Sequence, residues 1–281
     1  MQPKLSPEGC PTCGQLFTGK FCAACGEKRL SQHEFSLRHL IEEGVEGITH
    51  FDGKFFRTGK ALFLKPGSLT QHFEAGRRVR YMKPFQLFIV ANLLFFLIAQ
   101  GTNLFASSLS NYYNSSLYAK FGTREVIGDK ASSDAAFQQL ATVFDERITA
   151  QSKSFIILFI PVLALAAALL FFRKRKQFGL HLIFATHFFS FLLLYFTGFI
   201  LLIELPVHYV FHATQTDAYD SFLGIASISV FSFYLLLAIR RFYKTSWLWA
   251  FGSALMLSMV FFFSLIGYRV LLFYKIINAI S

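Results

Sequence analysis

LIFATHFFSFLLLYFTGFILLI, residues Leu182–Ile203, decides the fold. These 22 residues contain no lysine, arginine or carboxylate. As a helix rising about 1.5 Å per residue they reach about 33 Å, enough to cross the roughly 30 Å hydrocarbon core of a bilayer. Four further stretches read the same way: Phe85–Ala106, Phe155–Phe172, Phe222–Ile239 and Trp247–Gly267. The first is interrupted late by Gln100, Gly101 and Asn103, and the last could run on past Arg269 as an amphipathic tail. Composition agrees. Of 281 residues, 54% are hydrophobic, 37 are Phe and only 15% are charged, against about a quarter in soluble domains. The mean hydropathy is +0.47. The expected fold is all-α and integral to a membrane, with about five transmembrane helices.

The basic residues orient these helices. Arg77, Arg78, Arg80 and Lys83 precede the first span, and Arg173-Lys174-Arg175-Lys176 separates the second from the third. Arg240, Arg241 and Lys244 separate the fourth from the fifth, whereas 204–221 contains neither Lys nor Arg. Basic loops stay cytoplasmic. The N-terminus is therefore expected inside, segment 107–154 outside and the C-terminus outside. Within the outer segment, Phe137, Leu140, Phe144 and Ile148 recur at helical spacing, predicting a helix from Ser133 to Thr149.

All four cysteines lie near the start: Cys10-Pro11-Thr12-Cys13-Gly14 and Cys22-Ala23-Ala24-Cys25-Gly26. Two C-x-x-C-G turns place four thiolates around one tetrahedral zinc, with no open coordination position, so the zinc is expected to be structural. Each glycine permits a turn that leaves amides to bond the sulfurs. Thr18-Gly19-Lys20 suggests a short hairpin between the knuckles, and Leu16, Phe17 and Phe21 are the candidate core of a module that depends on metal to fold. Two disulfides are the rival reading and need an oxidising compartment. Iron is a second candidate metal. The domains read as a zinc ribbon at 1–30, amphipathic helices at 31–84 and a five-span bundle at 85–281. No cleavable leader is expected, because the first thirty residues have no apolar run.

Between ribbon and bundle, Leu37, Leu40, Ile41, Val45 and Ile48 share one helical face. Phe55, Phe56, Gly59, Leu62 and Phe63 repeat the pattern, with Lys54, Arg57 and Lys60 opposite. Pro66-Gly67 ends that helix, and Ser68 with Gln71 is a candidate capping pair for the next. Lys54, Arg57, Lys60, Lys65, Arg77, Arg78, Arg80 and Lys83 face only Asp52 and Glu74 in charge. This imbalance points to interfacial helices touching anionic headgroups of the lipid bilayer, with a self-packed cytosolic helical domain as the alternative. No recognition helix or stacking platform argues for nucleic acid. Nothing fixes an oligomeric state.

His50-Phe51-Asp52, Phe56, Thr58, Leu62, Pro66-Gly67, Phe73, Gly76-Arg77-Arg78, Tyr81 and Pro84, after a zinc ribbon and before apolar spans, resemble the bacterial membrane proteins known as domain of unknown function 3667. The P-G…G-[KR]-R-x-x-Y-x-x-P string is the most specific part. The resemblance covers the first hundred residues and implies a bacterial inner-membrane protein, with no activity attached. His50 reads as a helix end and Asp52 as a cap, because two ligands do not make a metal site.

Polar residues inside spans are functional candidates. Asn92 lies in the first span, His187 in the third and Glu204 at its outer end. Pro161 is expected to kink the second. No nucleophile elbow or metalloprotease helix is present. The leading reading is a non-enzymatic membrane protein whose ribbon docks a protein partner in assembly or regulation. A small transporter using Asn92 and His187 is the alternative. A lipid-binding or lipid-modifying enzyme holding a headgroup at Arg77 and Arg78 is a further one.

Overall fold

The structure, a computed structural model, describes residues 7–29, 53–99, 107–152, 156–209 and 217–280. The expected apolar face Leu37–Ile48, with His50 and Asp52, lies outside them, as does the end of the first span at 100–106. The chain divides into two compact units. One contains Met1–Ile98 and Ile160–Ser258, the other Ala99–Phe159 and Met259–Ser281.

The fold is all-α apart from a small hairpin of β1 (Glu8–Gly9) and antiparallel β2 (Leu16–Phe17). The first unit continues with α1 (Lys54–Leu64), α2 (Ser68–Glu74) and α3 (Pro84–Ile98). Three helical stretches are long and apolar enough to cross a membrane: Phe178–Val207, Ile225–Tyr243 and Trp247–Asn278. The first joins α9 (Phe178–Phe199) through a π-turn at Ile200–Glu204 to α10 (Leu205–Tyr209). The others belong to α11 (Asp217–Tyr243) and α12 (Trp247–Asn278), which runs unbroken through Arg269. Counting α7 (Asp134–Gln151) and Ile156–Leu170 as one broken span makes a fourth. The helical part of that second stretch is α8 (Phe159–Leu170), with Pro161 in its first turn, where the missing N–H has no intrahelical partner to lose. Pro161 therefore opens this helix and does not kink it. The first expected span is a 15-residue apolar helix, α3, over the described residues.

Helix α9 is the centre of the first unit, buried without interruption from Gly179 to Leu193. Its aromatic face interlocks with α11. Phe191 stacks on Tyr234 with centroids 3.7 Å apart, and His181 Nδ1 lies 2.8 Å from the Tyr243 hydroxyl. Stacked, interlocked rings give such helices specific packing that lipid contact alone does not supply.

Helices α1 and α2 form a hairpin packed on α9 and α11. The turn is set by Gly67, at φ +78°, where a Cβ would sit 2.6 Å from the Ala238 carbonyl oxygen. Arg241 Nη1 donates to the Pro66 carbonyl at 2.7 Å, and Gln71 Nε2 donates to the Arg241 carbonyl at 2.5 Å. Glu74 pairs with Lys176. Phe63 meets Phe191 edge-on at 5.1 Å. Gly67 is thus the N-cap of α2, no side chain caps that helix, and the expected Ser68–Gln71 capping pair does not form. The inward face of α1 also differs from the expected one. Thr58 and Leu62 are buried, whereas Phe56 is 76% exposed. Thr58 turns inward because its hydroxyl serves two partners, donating to the Lys54 carbonyl at 2.7 Å and accepting from Met82 N–H at 3.0 Å.

The second unit packs α4 (Leu109–Asn114), α5 (Ser116–Ala119), α6 (Thr123–Lys130) and α7 around the last turns of α12. Its core is Tyr112 against Phe144 and Phe273. The Tyr112 hydroxyl donates to the Arg269 carbonyl at 2.9 Å, giving the buried phenol its partner. The predicted helix is α7, capped by Ser133, whose Oγ accepts from Ala136 N–H at 3.3 Å.

Candidate metal centre

The two C-x-x-C-G segments fold as copies of one turn. Cys10 N–H donates to Gln15 O and Gly14 N–H to Cys10 O; Cys22 N–H donates to Glu27 O and Gly26 N–H to Cys22 O. Gly14 and Gly26 sit at φ +80° and +74°, a left-handed conformation that glycine adopts without strain. The glycine amides therefore close the turns through carbonyls. The amides of Thr12, Cys13, Gln15 and Glu27 bond the sulfurs instead. Each knuckle forms its own turn, between β1 and β2 for the first and across a Phe21–Lys28 bridge for the second, rather than flanking a hairpin at Thr18–Lys20. Only Phe17 joins the cysteines in the module's core; Leu16 and Phe21 are 71% and 60% exposed.

The four sulfurs converge within 4.8 Å of one another. Cys10 and Cys25 Sγ are 3.5 Å apart, Cys13 and Cys22 Sγ 3.6 Å, and all four are free thiols. Four sulfurs bound to one ion at about 2.3 Å in a tetrahedron stand about 3.8 Å apart, so the set fits a metal ion. Burial opposes ionisation of Cys10, but the N–H groups of Cys13 and Thr12 outweigh it and bring the thiol down to about 7. At Cys25 the Glu27 N–H favours the thiolate, yet burial and three neighbouring thiols push it up to about 12. Crowded thiolates repel one another, and a cation among them removes that penalty.

Sequence reading missed Glu27. Its side chain is 1% exposed. Oε2 accepts from Thr12 Oγ1 at 2.6 Å, from Arg78 N–H at 3.0 Å and from Val79 N–H at 3.2 Å. One carboxylate thus ties the first knuckle to the second and both to the loop between α2 and α3. The signal was available, because Gln15 occupies the matching position in the first knuckle and only the second carries a charge. Glu27→Ala leaves two loop amides without an acceptor and should destabilise this junction by about 1–3 kcal/mol. Hydrogen exchange at Arg78 and Val79 should then accelerate by at least tenfold; unchanged exchange would remove the clamp.

Of the other candidates, Arg77, Arg78, Lys83 and His187 line one small pocket. Lys54, Arg57, Lys60, Lys65, Arg77 and Arg80 are exposed, while Arg78 and Lys83 are half-buried. Arg78 lies over the Phe73 ring at 4.1 Å. Asn92 is half-buried on α3. His187 is buried, with Nδ1 2.9 Å from Thr70 Oγ1 of α2. Glu204 ends the π-turn, seventeen residues and roughly 25 Å along the helix from His187. Glu204 therefore does not share a site with His187.

Residues 52–96 match the model of a family described as "Protein of unknown function (DUF3667)". The matched stretch corresponds to the α1–α2 hairpin, the clamped loop and most of α3. No curated protein and no solved structure matches the chain.

Proposed function

We propose that this chain is a non-enzymatic, polytopic protein of the bacterial inner membrane that carries a structural zinc knuckle on its cytoplasmic side as a docking or assembly module. The supporting observation is the four-thiol cluster with its Glu27 clamp. A closed set of four sulfurs leaves no position for substrate. The clamp fixes the head to the basic loop ahead of α3, and Leu16 and Phe21 give it an apolar outer surface for a protein partner.

Packing parity supports five spans. Glu74 pairs with Lys176, and Arg241 bonds Pro66, so the hairpin shares one side of the membrane with the loops around 176 and 241. Segment 109–148 packs on residues 266–277, so those two share a side as well. With α9, α11 and α12 crossing, the second condition requires α8 to cross. The first then requires α3 to cross. The basic loops assign the hairpin side to the cytoplasm. Reporter fusions should therefore place the N-terminus inside and the C-terminus outside; a cytoplasmic C-terminus contradicts five spans.

The docking role is tested with a photocrosslinking residue at Leu16 in cells. One discrete adduct is expected, lost in Cys10→Ser while membrane insertion persists. An adduct indifferent to Cys10→Ser, or none at all, contradicts the role.

A further inference from the structure

Helix α1 keeps an outward face. Thr58 and Leu62 point into the first unit, while Lys54, Phe56, Arg57, Lys60, Phe63 and Leu64 are exposed. At about 100° per residue, Phe56 and Phe63 fall together on one edge of that face and Lys54 and Arg57 on the other, with Lys60 and Leu64 between. The helix contains no carboxylate, and Lys65 follows it directly. Among the described residues, Lys54, Arg57, Lys60 and Lys65 have no ion-pair partner.

The neighbours of α1 set its depth. Phe63 meets Phe191, thirteen residues and roughly 20 Å along α9 from Phe178. Just beyond α1, Gly67 lies against Ala238, inside the stretch Ile225–Tyr243. Both partners belong to helices long and apolar enough to cross a membrane. The C-terminal half of α1 therefore runs beside the spans, not above them in water.

We propose that α1 lies in the cytoplasmic membrane–water interface, with Phe56 and Phe63 among the upper acyl chains and Lys54, Arg57, Lys60 and Lys65 on the phosphates of anionic phospholipids. An aromatic edge beside a basic edge matches the two sides of a headgroup layer. Lysine and arginine stems stay in the apolar layer while their charged ends reach the phosphates. Anionic headgroups supply the four cations with counter-charge, which zwitterionic lipid does not. An acidic protein partner would satisfy the cations and leave the depth at Phe191 unexplained. The reading rests on the membrane placement of α9 and α11, and on neither the metal nor the docking partner.

The test puts a photocrosslinking residue in place of Phe56 in the full chain, reconstituted into vesicles of equimolar phosphatidylcholine and phosphatidylglycerol. Met256, exposed on α12, is the reference position. Lipid adducts are expected at both, with the phosphatidylglycerol-to-phosphatidylcholine ratio at position 56 about two- to fivefold above that at 256. High salt, or Lys54→Gln combined with Arg57→Gln and Lys60→Gln, should bring the two ratios together while lipid adducts at 56 persist. These three side chains are exposed, so the combined variant should keep the parent's thermal midpoint. Equal ratios in the unaltered chain would overturn the anionic preference. Quenching by water at 56, or adducts there to the chain's own residues 30–52, would overturn the interfacial seat, and lipid adducts at 256 would show that the spans themselves still stand.

Discussion

Gly67→Ala is expected to destabilise the first unit by about 2–5 kcal/mol, the sum of a left-handed backbone imposed on a residue with a Cβ and an overlap that has to be relieved. The overlap is with backbone. The added carbon would meet the Ala238 oxygen at 2.6 Å and its Cα at 3.0 Å, so no rotamer change clears it. Either α11 or the hairpin must shift, and the bonds from Arg241 to Pro66 and from Gln71 to Arg241 shift with it. Gly59 is the matched control. A Cβ there meets nothing within 4 Å, and it lies inside α1. Gly59→Ala should therefore be neutral or stabilising by up to about 1 kcal/mol. Thermal midpoints in detergent separate the two. If Gly67→Ala behaves like Gly59→Ala, the hairpin is not seated against α11.

The second large effect is loss of the metal. The knuckle buries only Cys10, Phe17 and Cys22 as a cluster, too little to hold 23 described residues by apolar burial. Structural zinc contributes about 10–16 kcal/mol in small zinc-folded peptides, so a single Cys10→Ser or Cys22→Ser should unfold the head outright. The bundle should survive, because the α9–α11 ring stacking lies elsewhere in the unit. Far-UV circular dichroism should change little, since the head contributes two strands of two residues each. Proteolysis at the head and alkylation of its remaining thiols should both increase sharply. Loss of the whole protein would mean that the metal supports the bundle as well.

The sequence made the long helices legible because apolar length is a one-dimensional property. Leu182–Ile203 reads as a span whatever surrounds it. The α7 helix was legible for a similar reason, since Phe144 and Ile148 recur with the period of a helix buried on one side. The cysteine centre was legible because thiolate chemistry requires that spacing. What failed depended on partners distant in sequence. Phe56 points outward and Thr58 inward because Met82 needs an acceptor, which no periodicity reveals. Gly67 looked like a helix terminator, and its approach to Ala238 exists only in three dimensions. Glu27 went unremarked because its partners, the loop amides of Arg78 and Val79, lie some fifty residues away in sequence. Segment 107–154 read only as lying outside, and nothing in its own residues showed that the core of its described part is completed by Phe273 and its neighbours from the far end of the chain.

A metal-held head joined by Glu27 to a membrane bundle is the central claim, and elemental analysis of the purified full chain tests it most directly. One zinc per chain is expected, lost in Cys10→Ser and retained in Glu27→Ala. Purified protein that contains no zinc and presents four freely reactive thiols would contradict the account.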